Sequence, residues 1–323
     1  MRSLIGQTRR PDAVIIVDGG STDHTVDLLR QYRDSLPLQI EVQPGANISE
    51  GRNRAIELAA SGVIAVTDAG VELEPQWLDE LTRPLLDNPS LDWVGGFFVA
   101  DRQNLFETAM GATVLPLVDE INPETFLPSS RSVAFRKSVW ERVNGYPEWL
   151  DFCEDLIFDL RIKAVTGQFA FAPDARVRFR PRGSLRSFYR QYYLYARGDG
   201  KADLWRKRHA IRYATYLLAA PMLFWLGWRR HLAFWLIGAV GAVVYLRHPY
   251  QRLAKLMHPR ASVSEWLQTG ALVPVIRIVG DIAKMHGYPV GWLWRLRHQP
   301  PDWRDVSHTA KPAPSIAKTP ESQ

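Results

Sequence analysis

The chain has 323 residues, enough for one or two domains with a sizeable core, and its single cysteine, Cys153, excludes an intrachain disulfide. Residues 1–174 hold 15 Lys and Arg against 27 Asp and Glu, whereas the remainder holds 25 against 7. This division predicts an acidic globular part followed by a strongly basic part. The Trp-rich apolar runs of the basic part favour a lipid surface over nucleic acid as its partner.

Alternating strand and helix patterns in the first seventy residues predict a doubly wound α/β layer. Val14–Val17 is a short apolar run closed by a turn, which is typical of a parallel strand buried on both faces. Further strands are expected at 38–42 and 63–66. Helices are expected between them at 23–32, with Asp23 as a plausible cap, and at 50–60.

Carboxylates follow two of these strands. Asp18 and Ser21 come after the first, and Asp68 comes after the strand at 63–66. Most such Asp residues are turn or cap residues. Two of them at the ends of parallel strands favour a ligand site instead, because ligands in open α/β sheets bind beyond the carboxyl ends of the strands.

A second acidic cluster lies within residues 145–161, where four carboxylates occur in nine positions beside Tyr146 and Trp149. These four are Asp151, Glu154, Asp155 and Asp159. First-turn acids can simply favour a helix dipole, but their crowding favours a functional site. The patterns around this cluster predict helices at 75–86, 105–118, 137–143 and 156–165 and strands at 93–99, 131–135, 168–172 and 176–179.

Five motifs in fixed order resemble those of the bacterial family 2 glycosyltransferases. They are VDGGSTDHT (17–25), GRN (51–53), TDAG (67–70), CED (153–155) and RQYYLYARGDG (190–200). The resemblance covers roughly residues 3–208 and implies the GT-A nucleotide-sugar fold, a doubly wound mixed sheet. It further implies a nucleotide-sugar donor, a UDP-sugar in the first instance, and a divalent metal, Mn²⁺ or Mg²⁺.

The resemblance also implies roles for individual residues. Asp155 matches the catalytic base, with Glu154 as its neighbour. Asp68 matches the first carboxylate of the family's Asp-x-Asp motif, close to the ribose and the metal. The donor-binding residues implied in this way are Asp18, Gly19, Ser21, Arg52, Asp68, Gln191 and Arg197.

Three departures from the family pattern bear on these roles. The family often has a second Asp where Gly19 stands, and it usually has a metal-binding acid where Gly70 stands, which leaves Glu72 as a substitute metal ligand beside Asp68. The family also begins with a strand and loop that form one wall of the base pocket. This sequence starts after them, so we expect either that its start codon was chosen too far downstream or that the site is open on that side.

The basic part predicts a helical membrane-associated region at 209–298. Residues 213–228 and 232–246 are free of charge and are joined by a link containing Arg229 and Arg230, which suits a hairpin flanked by positive clusters. A third segment, 271–285, has the pattern of an amphipathic helix. The composition of 299–323 predicts a disordered tail.

Together these features predict an inverting glycosyltransferase at the cytoplasmic face of the inner membrane, acting on a saccharide or lipid-linked acceptor in cell-envelope or exopolysaccharide synthesis. The alternative is a degenerate, non-catalytic membrane scaffold. Nucleic acid is not an expected partner, and the chain has neither a P-loop nor GxGxxG.

Overall fold

The computed structural model describes residues 1–166 and 168–305. Its strands are β1 (Val14–Asp18), β2 (Leu38–Val42), β3 (Val63–Val66), β4 (Val71–Leu73), β5 (Trp93–Ala100), β6 (Val133–Arg136) and β7 (Phe169–Phe179). Helices of the α/β body are α1 (Arg2–Ile5), α2 (Thr25–Arg30), α3 (Ile48–Leu58), α4 (Trp77–Asp87), α5 (Leu105–Val114), α6 (Lys137–Arg142) and α7 (Glu154–Val165). The remaining helices are α8 (Leu185–Lys201), α9 (Arg206–Tyr213), α10 (Ala220–Arg229), α11 (Ala233–Leu256) and α12 (Val263–His298), with a π-helical turn at Ala214–Ala219.

The strands form two sheets. β1 and β2 make a parallel pair, and the other strands form a mixed sheet in the order β3-β6-β5-β7-β4, in which only β5 and β7 run parallel. The prediction that β1 is buried on both faces is wrong, since Val14–Val17 are only partly buried. The physical reason is that β1 pairs with β2 alone among the described residues, so the second sheet does not flank it.

The core of the larger sheet fixes the start of α7. Phe158 of α7 lies 5.0 Å, centroid to centroid, from Phe135 of β6 and stacks at 4.1 Å on Tyr146. All three side chains are almost fully buried. Burying large aromatic side chains stabilises a fold strongly, so the first turn of α7 is held rigidly against the sheet.

Helix α12 packs backbone to backbone on α8. A Cβ atom at Gly287 would lie 2.1 Å from the carbonyl oxygen of Tyr193, and one at Gly291 would lie 1.9 Å from that of Arg197. Only glycine permits such an approach. The two glycines therefore define a seam that joins the helical region to α8.

The local predictions were correct for most elements, with several differences. The two strands predicted at 168–172 and 176–179 form one strand, β7, and the short strand β4 was not predicted. His24 rather than Asp23 is the N-cap of α2, although the Asp23 carboxylate accepts the Thr25 N–H at 3.0 Å.

The helical region differs from its prediction in extent. The predicted amphipathic helix at 271–285 is the interior of the 36-residue α12. Among the described helices, α12 alone is long and apolar enough to cross a membrane by length and composition, and a third of its most apolar window is buried in the protein. Of the predicted disordered tail, residues 299–305 are described and Trp303 donates its indole N–H to the Ala202 carbonyl at 2.8 Å. Residues 306–323 lie outside the described part.

Candidate active site

The Asp18 loop is closed by its own hydrogen bonds. The Asp18 carboxylate accepts the hydroxyl of Ser21 at 2.7 Å and the backbone N–H groups of Ser21 and Gly20 at 2.7 and 3.0 Å. These bonds, the Ser21 hydroxyl first, lower the pKa of Asp18. A Cβ at Gly19 would lie 2.9 Å from the Ala46 carbonyl oxygen, so the loop has no room for the second Asp of the family pattern.

The guanidinium of Arg52 joins two distant parts of the chain. It donates to Asp68 at 2.5 Å and to Glu154 at 2.7 Å, and it lies 5.3 Å from the centroid of the Tyr146 ring. Burial opposes its charge, but Tyr146 and the surrounding carboxylates outweigh that effect and raise the pKa of Arg52. Arg52 therefore stays cationic between the end of β3 and the start of α7.

The N-terminal cap of helix α3 fixes the position of Arg52. Asn47 accepts the N–H groups of Ser49 and Glu50, and the Glu50 carboxylate accepts the Asn47 N–H, which completes a capping box. A Cβ at Gly51 would lie 3.9 Å from the Val17 side chain of β1. The cap thus starts α3 at Ile48, four residues before Arg52, and Gly51 places the helix beside β1.

The two acids predicted to carry the chemistry, Glu154 and Asp155, form the first turn of α7. Cys153 before them has a left-handed backbone with φ 67°, which turns the chain sharply into the helix. Burial and the neighbouring Asp155 raise the pKa of Glu154 to about 7, against the opposing effect of Arg52. Burial also raises the pKa of Asp155, while Arg52 and Arg131 oppose the shift. A carboxylate of raised pKa is a better proton acceptor near neutral pH.

Helix α8 holds the loop that leads into this turn. Asp151 is bound by Arg197 and by Lys201, the latter at 2.7 Å. A Cβ at Gly198 would lie 2.5 Å from the Phe152 carbonyl oxygen and 2.9 Å from the Cys153 sulfur. The Cys153 thiol is buried, and that burial together with Asp199 raises its pKa, which suits a packed, unreactive side chain.

Sequence reasoning missed three residues of this site. The Asn53 side chain binds the backbone N–H and carbonyl of Tyr146 at 2.8 and 2.9 Å and so fixes the loop before the acids. Arg131 lies 3.9 Å from Asp68. The GRN motif signalled Asn53 and the acidic cluster signalled Tyr146, but neither indicated the contacts they make, and Arg131 had no signal in the sequence.

The predicted metal ligands do not form a cluster. Asp68 is paired with Arg52, whereas Glu72 is exposed on the edge strand β4, opposite Arg178. In the part of the chain that the structure describes, no three His, Cys, Asp or Glu side chains come together as a metal site. Asp68 alone suits the binding mode of Mg²⁺, which takes one or two carboxylates and completes its shell with substrate phosphates.

The structure therefore brings together Arg52, Asp68, Glu154 and Asp155 from three separate segments. The Asp18 loop reaches this group only through α3. Gln191 and Arg197 lie on α8, where Gln191 donates to the Tyr195 hydroxyl at 2.8 Å and Arg197 contacts the loop before the acids.

Comparison with known proteins bears on this arrangement. Residues 1–140 match the Glycosyl transferase family 2. The chain is 35% identical over 89 residues to the uncharacterized glycosyltransferase YibD of Escherichia coli K12, covering 27% of this chain and 26% of YibD.

Two further similarities extend beyond the matched domain. The O-antigen chain rhamnosyltransferase WbaN of Salmonella anatum is 23% identical over 58% of this chain and 62% of its own length. The mannosyltransferase PcManGT from Pyrobaculum calidifontis, solved with GDP-Man and Mn²⁺, aligns with a TM-score of 0.50 at 17% identity over 92% of this chain and 82% of that one. This likeness concerns the fold, and it confirms the predicted GT-A architecture.

Proposed function

We propose that this protein is an inverting glycosyltransferase that moves a sugar from a nucleotide-sugar donor to an acceptor hydroxyl. The observation that carries the proposal is the bridge of Arg52 between Asp68 and Glu154, with Asp155 next in sequence. This bridge joins residues of the TDAG, GRN and CED motifs by ion pairs in one partly buried site. Such concentrations of perturbed carboxylates occur preferentially at functional sites.

The proposed reaction is a single displacement. Asp155 takes the proton of the acceptor hydroxyl as its oxygen attacks the anomeric carbon of the donor sugar. The new carbon–oxygen bond forms while the bond from the anomeric carbon to the diphosphate oxygen breaks, and that electron pair leaves with the diphosphate. Arg131, beside Asp68, supplies positive charge for the leaving group, and Arg52 keeps Glu154 and Asp68 in place.

We retain UDP-sugar as the donor class and Asp18, Gly19, Ser21, Gln191 and Arg197 as further donor-binding residues. The solved neighbour PcManGT holds GDP-Man with Mn²⁺, which supports a nucleotide-sugar donor without choosing its nucleotide. A divalent ion arriving with the donor would be held by Asp68 and would neutralise charge on the diphosphate. Glu72 has no supporting contact for this role.

Membrane association supports the proposed setting at the cytoplasmic face of the inner membrane. The hairpin exposes Leu217, Trp225, Trp228 and Leu236, and α12 is a candidate span. Monomeric soluble proteins rarely expose so many large apolar side chains close together. A saccharide or lipid-linked acceptor of the cell envelope would be met at such a surface.

Asp155→Asn tests the assignment of the base. Transfer should fall by about 10²–10⁴-fold, because the amide cannot accept the acceptor proton, while calorimetric affinity for UDP changes little. Asp79→Asn, which removes an exposed carboxylate on α4, is the matched control. Turnover retained in Asp155→Asn would contradict the assignment.

The same calorimetry separates the enzyme from the non-catalytic scaffold. UDP titrated with and without Mn²⁺ should release heat if the site binds a donor. No heat with any nucleoside diphosphate would favour the scaffold.

A further inference from the structure

Two cations at the junction of α8, α11 and α12 make no direct ion pair among the described residues, although Asp281 and Asp199 attract the Lys284 ammonium without contacting it. In the described part of the chain, neither Arg277 nor Lys284 takes part in an ion pair, and Nε of Arg277 is buried without a hydrogen-bond partner. Arg277 lies 4.5 Å from the centroid of the Tyr245 ring, and the Lys284 ammonium lies 5.0 Å from that of Tyr192. Both groups are partly withdrawn from solvent.

The nearest acid on the same helix is already used. Asp281 accepts Nε of Arg212 at 2.8 Å, the hydroxyl of Tyr216 at 3.1 Å and the hydroxyl of Tyr245. Its oxygens are therefore satisfied within the helical bundle. Removing a cation from water without a direct ion pair costs free energy. An anion from outside the chain that bound Arg277 and Lys284 would offset this cost.

This cationic junction adjoins the catalytic acids. Tyr192, whose ring faces the Lys284 ammonium, precedes Tyr193 and Arg197 on α8, where Gly287 and Gly291 of α12 make their close approach. Arg197 in turn binds Asp151 in the loop before Glu154 and Asp155. The α8–α12 packing therefore links the cations of the junction to the loop that leads into the catalytic acids.

The other side of the junction is apolar and exposed. Val243 and Val244 of α11 precede Tyr245, and Val275, Ile278 and Ile282 flank Arg277 and Lys284 on α12. A soluble anion would gain nothing from this flank. A molecule with a phosphate head and a hydrocarbon chain would use both the cations and the apolar surface.

We propose that Arg277, Lys284 and the hydroxyl of Tyr192 bind the diphosphate of a lipid-linked acceptor, whose hydrocarbon chain lies along the exposed flank of α11 and α12. The proposal rests on the proposed function, because it names the acceptor class and its anchor beside Asp155. The head group would complete the charge that the protein leaves unpaired, and it would hold the acceptor saccharide on the side of the catalytic acids.

Calorimetry on the full chain in detergent tests this site with three probes: farnesyl diphosphate, inorganic pyrophosphate and farnesol. We expect farnesyl diphosphate to bind more tightly than either of its halves. The double variant Arg277→Gln/Lys284→Gln should weaken that binding by about tenfold or more, because two charge-assisted hydrogen bonds are lost. Arg277→Lys/Lys284→Arg should retain most of it, and Arg297→Gln, an exposed position on the same helix, should have no effect.

Unchanged farnesyl diphosphate binding in the double Gln variant would overturn the proposal. So would equal binding of pyrophosphate and farnesyl diphosphate with displacement of both by UDP, because the cations would then serve the donor diphosphate. UDP binding without farnesyl diphosphate binding refutes the acceptor site and leaves the proposed function intact. Farnesyl diphosphate binding that depends on Arg277 and Lys284, without binding of any nucleoside diphosphate, supports the site and refutes the proposed function.

Discussion

The α/β body and the helical region treat large apolar side chains in opposite ways. Trp77 and Trp93 of the body are 2% and 1% exposed, whereas Trp228 and Leu232 at the tip of the hairpin are each 75% exposed. Burial of such side chains is what stabilises a water-soluble core. The contrast indicates that the two regions are built for different solvents, although they are joined by the glycine seam of α8 and α12.

The two regions also differ in how their buried cations are paired. Arg52 in the body has two carboxylate partners within 2.7 Å. Arg277 and Lys284 in the helical region have none in the described part of the chain. Arg52 is paired within the body, whereas the helical region has exposed apolar side chains and two partly buried cations that a lipid could satisfy.

A pair of tryptophan substitutions tests this contrast most strongly. Trp93→Ala should lower the free energy of unfolding by about 3–5 kcal/mol through loss of burial and the cavity left behind. Trp228→Ala should change it by less than about 0.5 kcal/mol and should instead weaken binding to phospholipid vesicles. Guanidinium denaturation and vesicle sedimentation measure the two effects. If both substitutions destabilised the fold equally, the distinction between the regions would fail.

A smaller effect is expected at the seam between the regions. Gly291→Ala forces a methyl group against the Arg197 carbonyl, where the ideal Cβ would lie only 1.9 Å away, so α12 must move from α8 at a cost of about 1–3 kcal/mol. Because Arg197 and Lys201 hold Asp151, kcat should fall as well. Gly241→Ala on α11, where a Cβ meets nothing within 4 Å, is the control. Thermal unfolding and initial rates suffice, and an active, stable Gly291→Ala protein would argue against coupling through the seam.

The smallest effect concerns pH. The base must be deprotonated, and burial raises the pKa of Asp155 above the usual range of a carboxyl, so kcat/KM should increase with pH and level off once Asp155 is deprotonated. Arg52 lowers that pKa, so Arg52→Gln should move the acidic limb to higher pH. Arg54→Gln, exposed on the same helix and paired with Glu41, should not move it. A limb that stays in place in Arg52→Gln would contradict the electrostatic role of Arg52.

The sequence predicted the parts of the site that are local. The apolar runs ending at Asp18 and before Asp68 gave β1 and β3, and the ordered motifs identified Arg52, Asp68, Glu154 and Asp155, which the fold gathers. The contacts of Arg131 and Tyr146 could not be predicted in this way, because they depend on packing between segments far apart in the chain. The burial of β1 failed for a related reason: an apolar run specifies a strand but not how many strands flank it.

The helix boundaries of the helical region were predicted less well, because prolines lie inside its helices without ending them. Pro274 and Pro289 lie inside α12, and Pro249 lies inside α11. The predicted helix at 271–285 contains Pro274, whereas the helix of the structure also continues through Pro289. Packing on α8 and α5 overrides the local preference.

Helix α12 has a geometric consequence for the choice of acceptor. Its 36 residues make a rod about 54 Å long, nearly twice the thickness of a hydrocarbon core. Arg295 near one end binds the Lys201 carbonyl beneath the catalytic loop, and the opposite end exposes Val263 and Leu267. A membrane that binds the apolar flank of α12 would therefore also fix the distance of Asp155 from the membrane surface. Acceptors would then be selected by the distance between their membrane-anchored end and their reactive hydroxyl.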